Sequence, residues 1–381
     1  MLQNLPNPPR LIAIIGTRAQ TIKMAPLLVE LERRNEPYRL LLTGQHHETI
    51  DSLLDEFGVT TRRERVYAGP EVKGITQAGI WMLRTAWRLW LERSKWAPSP
   101  RGGNIVLAHG DTFTTLLAAT VGRLVGCQIA HVEAGLRSFN WRHPFPEEIT
   151  RVVVSRLAGI AYCPGAWACG NLNPRRVEVV DTGANTILDA LRDAMAAPIR
   201  PEAKVGVPYA VVSVHRFENL QSRERMGVIL DTIGELADRL RVILVLHPTT
   251  RKRLGELGEL EHLNAHPGID LRSRMTYVPF MQLLSRAKLV VSDGGSNQEE
   301  LSYLGVPTLL MRMATERREG LDDNVVLSKF DASIIREMIA SVGSQSDVPV
   351  SKIVSEQFPV DAIVCDLQRR ISRTEHRVDE E

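Results

Sequence analysis

Asp111, Glu133 and Glu147 fall within one short span of the chain, with His109 and His131 interleaved. Carboxyl and imidazole groups are the side chains that take and give protons near neutral pH, so this span has the means for general acid–base chemistry. Residues 105–108 and 128–132 are apolar and β-branched and read as short buried strands, with a helical pattern over 113–124 between them. Such a β-α-β unit places the residues just past each strand at the ligand crevice of an open parallel sheet. His109, Asp111, His131 and Glu133 therefore converge on one edge, and Phe145-Pro146-Glu147-Glu148 returns on the following loop.

The flanking elements follow the same alternation. A strand over residues 11–15 breaks at Gly16-Thr17-Arg18, and a helix carrying Ile22, Met24, Leu27, Leu28 and Leu31 follows. A second strand, 38–42, ends at Thr43-Gly44-Gln45-His46. Residues 75–95 read as a long helix with Trp81, Trp87 and Trp90 among several arginines, a core-packing element with a solvated basic face. Residues 98–103, rich in Pro and Gly, form a surface loop into the central unit. A helix over 148–157 and strands over 159–162 and 176–180 complete the first half.

Thr182-Gly183-Ala184-Asn185-Thr186 leads into a short helix, and residues 196–201 end the connection. The second half repeats the pattern, with strands expected over 209–214, 241–246, 276–278, 289–291 and 307–311. Helices are expected over 223–240, 281–287, 298–304 and, last, 358–373 before a charged tail. This is an α/β chain of two doubly wound Rossmann-like domains facing each other across a cleft. The domains are expected at 1–181 and 182–360, with a closing helix and tail at 361–381. Arg18, Gln45, Asp111, Glu133, His215, His247, Asp293 and Arg312 stand at strand ends in both halves, which implies one ligand held between them.

Composition removes several classes. A net charge of +2 over 381 residues fits neither a nucleic-acid glove nor an acidic tail, but suits a phosphorylated small molecule. Cys127, Cys163, Cys169 and Cys365 are scattered, as for reduced structural thiols rather than a zinc site. No apolar run nears membrane-spanning length and the first residues lack a secretion pattern, so a cytoplasmic protein without membrane or nucleic-acid partners is expected. There is no dinucleotide-type G-x-G-x-x-G after Ile15 and no P-loop, so neither a nicotinamide cofactor nor P-loop chemistry is indicated.

The second half offers an anion site instead. Ser292-Asp293-Gly294-Gly295-Ser296-Asn297-Gln298-Glu299-Glu300 places glycines between a strand and a helix start, where free N–H groups favour a phosphate. Glu300, one turn in, suits the hydroxyls of a ribose. Arg18, Lys23, His215, Arg216 and Arg317 supply cationic or donor groups for a diphosphate.

Gly16-Thr17-Arg18 with Ile22-Lys23-Met24-Ala25-Pro26, Thr43-Gly44-Gln45-His46, His109-Gly110-Asp111-Thr112, and His131 through Arg137 fall in a familiar order. Pro144-Phe145-Pro146-Glu147-Glu148, His215-Arg216 with Glu218-Asn219, Asp293 through Glu300, and Thr315-Glu316-Arg317 continue it. Together they resemble the non-hydrolysing UDP-N-acetylglucosamine 2-epimerases, over residues from about 11 to 327. The resemblance implies a glycosyltransferase-B-like fold, a UDP-sugar in the interdomain cleft, a homodimer, and no metal or other cofactor. It places catalytic carboxylates on Asp111, Glu133 and Glu147 and a catalytic histidine on His215. Arg18, Lys23, Arg137, Arg216 and Arg317 fall on diphosphate or sugar contacts, and Phe280, Gly294, Gly295, Ser296 and Glu300 on the uridine and ribose-phosphate site. Gln45, His46 and His247 match an activating second UDP-sugar site.

The chain departs from the family pattern at the ligand edge. Ala19-Gln20 stands for the usual Pro-Glu, Asp293-Gly294-Gly295-Ser296 for Asp-Ser-Gly-Gly, and Phe217 for a second arginine. His247-Pro248-Thr249-Thr250 replaces His-x-Asn-Pro, and Thr150 replaces an asparagine. Four other readings stay open at this point. A hydrolysing epimerase releases free UDP, a glycosyltransferase on the same fold requires an acceptor, and a sensor binds UDP-sugar unchanged. A metal-dependent hydrolase takes His109-x-Asp111 and His131-x-Glu133 as ligand pairs.

Overall fold

In the computed structural model, the residues described are 9–44, 47–67, 69, 75–98, 103–141, 146–315, 317–321, 323–342, 353 and 355–379. The chain forms two compact units, residues 1–190 with 357–381, and residues 191–356.

The first unit has strands β1 (Leu11–Ile15), β2 (Tyr38–Leu42), β3 (Arg63–Arg65), β4 (Ile105–His109), β5 (Gln128–Val132), β6 (Ile160–Cys163) and β7 (Glu178–Asp181). Its helices are α1 (Arg18–Arg33), α2 (His47–Phe57), α3 (Ile75–Leu91), α4 (Arg93–Trp96), α5 (Phe113–Leu124), α6 (Glu147–Leu157), α7 (Ala166–Gly170) and the start of α8 (Ile187–Ala196). The strands pair in parallel in the order β3-β2-β1-β4-β5-β6-β7. A continuous apolar strand is what a sheet covered on both faces demands. Leu11, Ala13 and Ile15 of β1 pack on one face with Met24, Leu27, Leu28 and Ile50, while Ile12 and Ile14 pack on the other with Trp81, Leu117 and Val121.

The second unit has strands β8 (Tyr209–Ser213), β9 (Arg241–Leu246), β10 (Ile269–Ser273), β11 (Leu289–Ser292), β12 (Thr308–Leu310) and β13 (Val325–Leu327). Its helices are α9 (Phe217–Gln221), α10 (Arg223–Ala237), α11 (Pro248–Glu256), α12 (Glu259–Ala265), α13 (Tyr277–Leu284), α14 (Gly295–Leu304) and α15 (Ala332–Ser341). The parallel order β10-β9-β8-β11-β12-β13 repeats that of the first unit. Both units are thus doubly wound Rossmann-like sheets, two of which in succession make up the glycosyltransferase-B-like class. In each, strand order reverses beside the first strand, between β1 and β4 and between β8 and β11. Crevices at that reversal, past the carboxyl ends of the strands, are where such sheets take ligands.

The last helix, α16 (Pro359–Asp379), packs into the first unit through Ile363, Val364 and Leu367. Asp366 accepts from Tyr162 Oη at 2.9 Å, and Arg370 pairs with Glu178 at 2.7 Å. The turn to the second unit lies within α8, past the end of β7.

One expected strand is corrected. Residues 276–278 open α13 instead, and the neighbouring strand is Ile269–Ser273. A proline three residues into a helix lacks only an N–H that has no partner there, so Pro279 fits α13 and not a strand interior. The true strand lies at a sheet edge and reads Ile-Asp-Leu-Arg-Ser, too polar to signal burial. The long helix expected over 75–95 stops at Leu91, and Trp96 of α4 folds back to donate to Leu89 O at 2.8 Å.

Candidate active site

The first unit's site starts where β1 passes to α1. Thr17 Oγ1 accepts from Gln20 N, and Gln20 Oε1 accepts from the Gly16 and Thr17 N–H groups at 3.1 and 3.2 Å, a reciprocal cap on α1. Gln20 Nε2 then donates to His109 O at 2.9 Å and Thr115 Oγ1 at 3.0 Å, tying the helix start to the end of β4. Gly16 is required by space: a Cβ there would lie 2.0 Å from Thr114 Oγ1.

Capped in this way, α1 carries Lys23 to Glu133. The Lys23 ammonium lies 2.5 Å from Glu133 Oε1, both side chains being more than nine-tenths buried. Asn185 Nδ2 donates to the same oxygen at 2.5 Å, and His109 Nε2 lies 3.5 Å from Oε2. Glu133 has φ 62°, the left-handed region that side chains other than glycine rarely adopt. Such backbone strain at the end of a central strand marks functional positions. Burial pulls the His109 imidazole down to about 3 from an ordinary 6.5, with Lys23 adding to the effect and Glu133 opposing it. The ring is neutral. Burial also lowers His131, whose Nε2–H donates to Gly110 O at 2.8 Å.

Asp111, past the end of β4, accepts from Arg151 Nε at 2.9 Å. Glu147 is the first residue of α6, and its Oε2 is buried with no hydrogen-bond partner among the described residues. Glu148, fully buried beside it, accepts from Arg137 Nε at 2.6 Å and from Ser138 N at 2.9 Å. Burial opposes its charge, yet those donors hold its carboxyl below the usual range. Arg137, expected on substrate, is thus engaged by Glu148. Arg18 is half-buried at the first position of α1. Gln45 and His46 lie outside the described residues.

In the second unit His215 follows β8, and Asp293 follows β11. Asp293 is fully buried and accepts from His215 N, Arg216 N and Asn219 Nδ2, each within 3.1 Å. His215 Nδ1 lies 3.3 Å from Asp293 Oδ1, an arrangement that fixes the ring. Gly294 leaves room for it, since a Cβ there would meet Asn297 Oδ1 at 2.7 Å and His215 Cε1 at 3.3 Å. The helix α14 starts at Gly295 and Ser296 with no side-chain cap, leaving its first turn to an outside acceptor. Buried Glu300 accepts from Asn297 Nδ2 at 2.9 Å through one oxygen.

Arg317 Nη1 lies 2.5 Å from buried Glu299, and Arg216 pairs with Glu218 at 3.2 Å. Phe280 is half-buried on α13. His247, expected at an activating site, caps α11, and its ring centroid lies 5.6 Å from that of His215. The structure thus draws together two groups of the expected residues: Lys23 with Glu133, and His215 with Gly294 and His247. Among the described residues no three His, Cys, Asp or Glu side chains gather as a metal site would require.

The sequence profile described as UDP-N-acetylglucosamine 2-epimerase matches residues 29–356 of this chain. The chain belongs to this family. A UDP-N-acetylglucosamine 2-epimerase of Methanocaldococcus jannaschii is 29% identical over 327 residues, covering 82% of this chain and 86% of that relative. One of Salmonella borreze is 30% identical over 341 residues, covering 84% and 85%. The structure of the Neisseria meningitidis UDP-GlcNAc 2-epimerase bound to UDP-GlcNAc superposes with TM-score 0.77 at 25% identity, covering 94% of this chain and 99% of that one.

Several groups in this epimerase-family chain are ones that sequence reasoning passed over. Gln20, read only as a departure, is the joint between α1 and β4. Asn185 reads in the sequence only as part of the segment before a short helix, and Arg151 carries no signal there, yet each holds a candidate catalytic carboxylate. Asp293, expected at the ligand edge, also holds His215.

Proposed function

We propose that the protein is a non-hydrolysing UDP-N-acetylhexosamine 2-epimerase, interconverting UDP-GlcNAc and UDP-ManNAc or a close derivative. The C2 hydrogen of a hexosamine has no adjacent carbonyl, so simple deprotonation is slow. Elimination avoids this: the C2–H and C1–O bonds break, a C1–C2 double bond forms, and UDP leaves with the electron pair. Re-addition of UDP to this glycal, with a proton delivered to the opposite face of C2, inverts that centre. The route needs proton-transfer groups on two faces and stabilisation of the departing diphosphate.

The single observation that carries this reading is the Glu133 carboxylate, buried past the end of β5, one strand from the switch point, and held by Lys23 and Asn185. A carboxyl group fixed in place by an ammonium and an amide at a ligand crevice is a candidate proton-transfer group. Asp111 and Glu147 supply further proton-transfer groups. In the second unit the first turn of α14 takes the diphosphate, Glu300 the ribose, and His215 the leaving oxygen. Arg18, Arg216 and Arg317 assist the diphosphate, and Phe280 the uracil. His247 takes part in activation by a second UDP-sugar.

The protein acts in the cytoplasm, where nucleotide sugars are made, and its product feeds a surface polysaccharide. Two copies pair through α3, whose Leu83, Trp87 and Trp90 are exposed while Ala78, Trp81 and Leu89 are buried on its other face.

Incubation with UDP-GlcNAc in deuterated water, read by NMR at C2, tests the reaction. Deuterium at C2 together with the epimer is the expected result. Absence of both, for every UDP-HexNAc offered, overturns it, and free UDP rising with turnover points to the hydrolysing reaction instead.

A further inference from the structure

Two candidate catalytic carboxylates of the first unit sit on different elements: Asp111 just past β4, and Glu147 at the start of α6. Arg151 joins those elements. It stands one helical turn after Glu147, and residues four apart lie on one face of a helix, about 6 Å apart along its axis. Its Nη2 lies 2.6 Å and its Nε 2.9 Å from Asp111 Oδ2. The guanidinium is itself held from behind, with Nη1 3.6 Å from the Oε2 of Glu148. Glu148 is in turn fixed by Arg137 and the Ser138 N–H.

We propose that Arg151 is a positioning residue that sets the placement of Asp111 relative to Glu147, and thereby couples proton removal at one face of C2 to proton delivery at the other. This inference rests on the epimerase reading. The arrangement is buried at its root and more open at its tip, the side chains of Glu148, Arg151 and Asp111 being 1%, 13% and 27% exposed. Two N–H groups of one rigid guanidinium converging on Asp111 Oδ2 fix geometry as a lysine ammonium does not. When the opposite group is misplaced, the protonated base exchanges its proton with solvent and returns a deuteron to the original face of C2 as UDP re-adds at C1, regenerating the substrate. Loss of Arg151 therefore uncouples exchange from inversion.

The experiment runs Arg151→Gln, Arg151→Lys and the unaltered protein with UDP-GlcNAc in deuterated water. Deuterium at C2 of recovered substrate is divided by epimer formed. In the unaltered protein this ratio is the baseline; if neither deuterium nor epimer forms there, the epimerase reading itself fails. Both variants are expected to raise the ratio at least fivefold, while UDP binding by calorimetry changes less than threefold. A merely structural arginine lowers exchange and inversion together and leaves the ratio fixed. An unchanged ratio, or loss of exchange together with inversion, in either folded variant, with the unaltered protein active, overturns the proposal. Arg151→Lys retains the charge that the fold requires next to Glu148, so it reads out the ratio even where Arg151→Gln does not fold.

Discussion

Lys23 Nζ and Glu133 Oε1 lie 2.5 Å apart across 110 residues of sequence, with 5% and 7% of their side chains exposed. The pair joins the helix after the first strand to the end of the fifth, across β4 and the point where strand order reverses. Burying two charges is costly, and the cost is offset only while each has the other as its partner.

Removing one partner leaves the other charged and buried. Lys23→Met is expected to destabilise the protein by about 3–5 kcal/mol and to abolish epimerisation. Adding Glu133→Gln restores most of the stability and none of the activity. Thermal unfolding followed by circular dichroism checks this; a single variant as stable as the unaltered protein contradicts it.

Asn185 bears on the same oxygen. A hydrogen bond to a charged group is worth about 1.5–3 kcal/mol, or roughly ten- to a hundredfold in rate. Asn185→Ala is expected to lower kcat within that range while KM for UDP-GlcNAc changes little. Steady-state kinetics decide it, and a kcat within twofold of the unaltered protein removes Asn185 from the site.

What was legible in the sequence, and what was not, divides along physical lines. The central strands announced themselves because burial on both faces leaves only apolar residues, as in Leu11–Ile15, all five of which are buried. The edge strand Arg63–Arg65 carries no apolar residue, so only its pairing with β2 reveals it. Asp111 and Glu133 were readable because their strands point at them. Gln20, Asn185 and Arg151 act by holding another site residue from a separate element, and that relation has no period in the chain. The tryptophans of the core-packing helix pattern divide: Trp87 is exposed while Trp81, six residues earlier, is buried; helical phase separates them, and aromatic content alone does not.

His109 gives the acid side of stability a defined sign. Burial first, then Lys23, hold its folded value near 3 against an ordinary 6.5. Below pH 6.5 the unfolded chain gains a proton that the folded chain refuses, so stability falls as pH drops from 6.5 toward about 3 and is unaffected above. His131, lowered in the same direction, adds to it. His109→Gln removes one such proton and is expected to make the loss shallower by up to about 1.4 kcal/mol per pH unit. Urea midpoints from pH 7 to pH 4 measure the difference, and identical slopes contradict the assignment.

The helix α3 has apolar residues on two sides. Ala78, Trp81 and Leu89 fill the first unit's core, whereas Ile80, Leu83, Trp87 and Leu91 are each more than half exposed. Trp87 and Trp90 stack with ring centroids 5.5 Å apart. A contiguous aromatic and aliphatic surface of this kind is costly in water, and the proposed pairing covers it. With a second copy as the occupant, Trp87→Glu combined with Trp90→Ser is expected to convert a dimer to a monomer in sedimentation velocity at micromolar protein. Core burial is untouched by these changes, so the circular dichroism spectrum stays the same. A dimer that survives both substitutions places its interface elsewhere, and an unaltered protein that sediments as a monomer removes the pairing altogether.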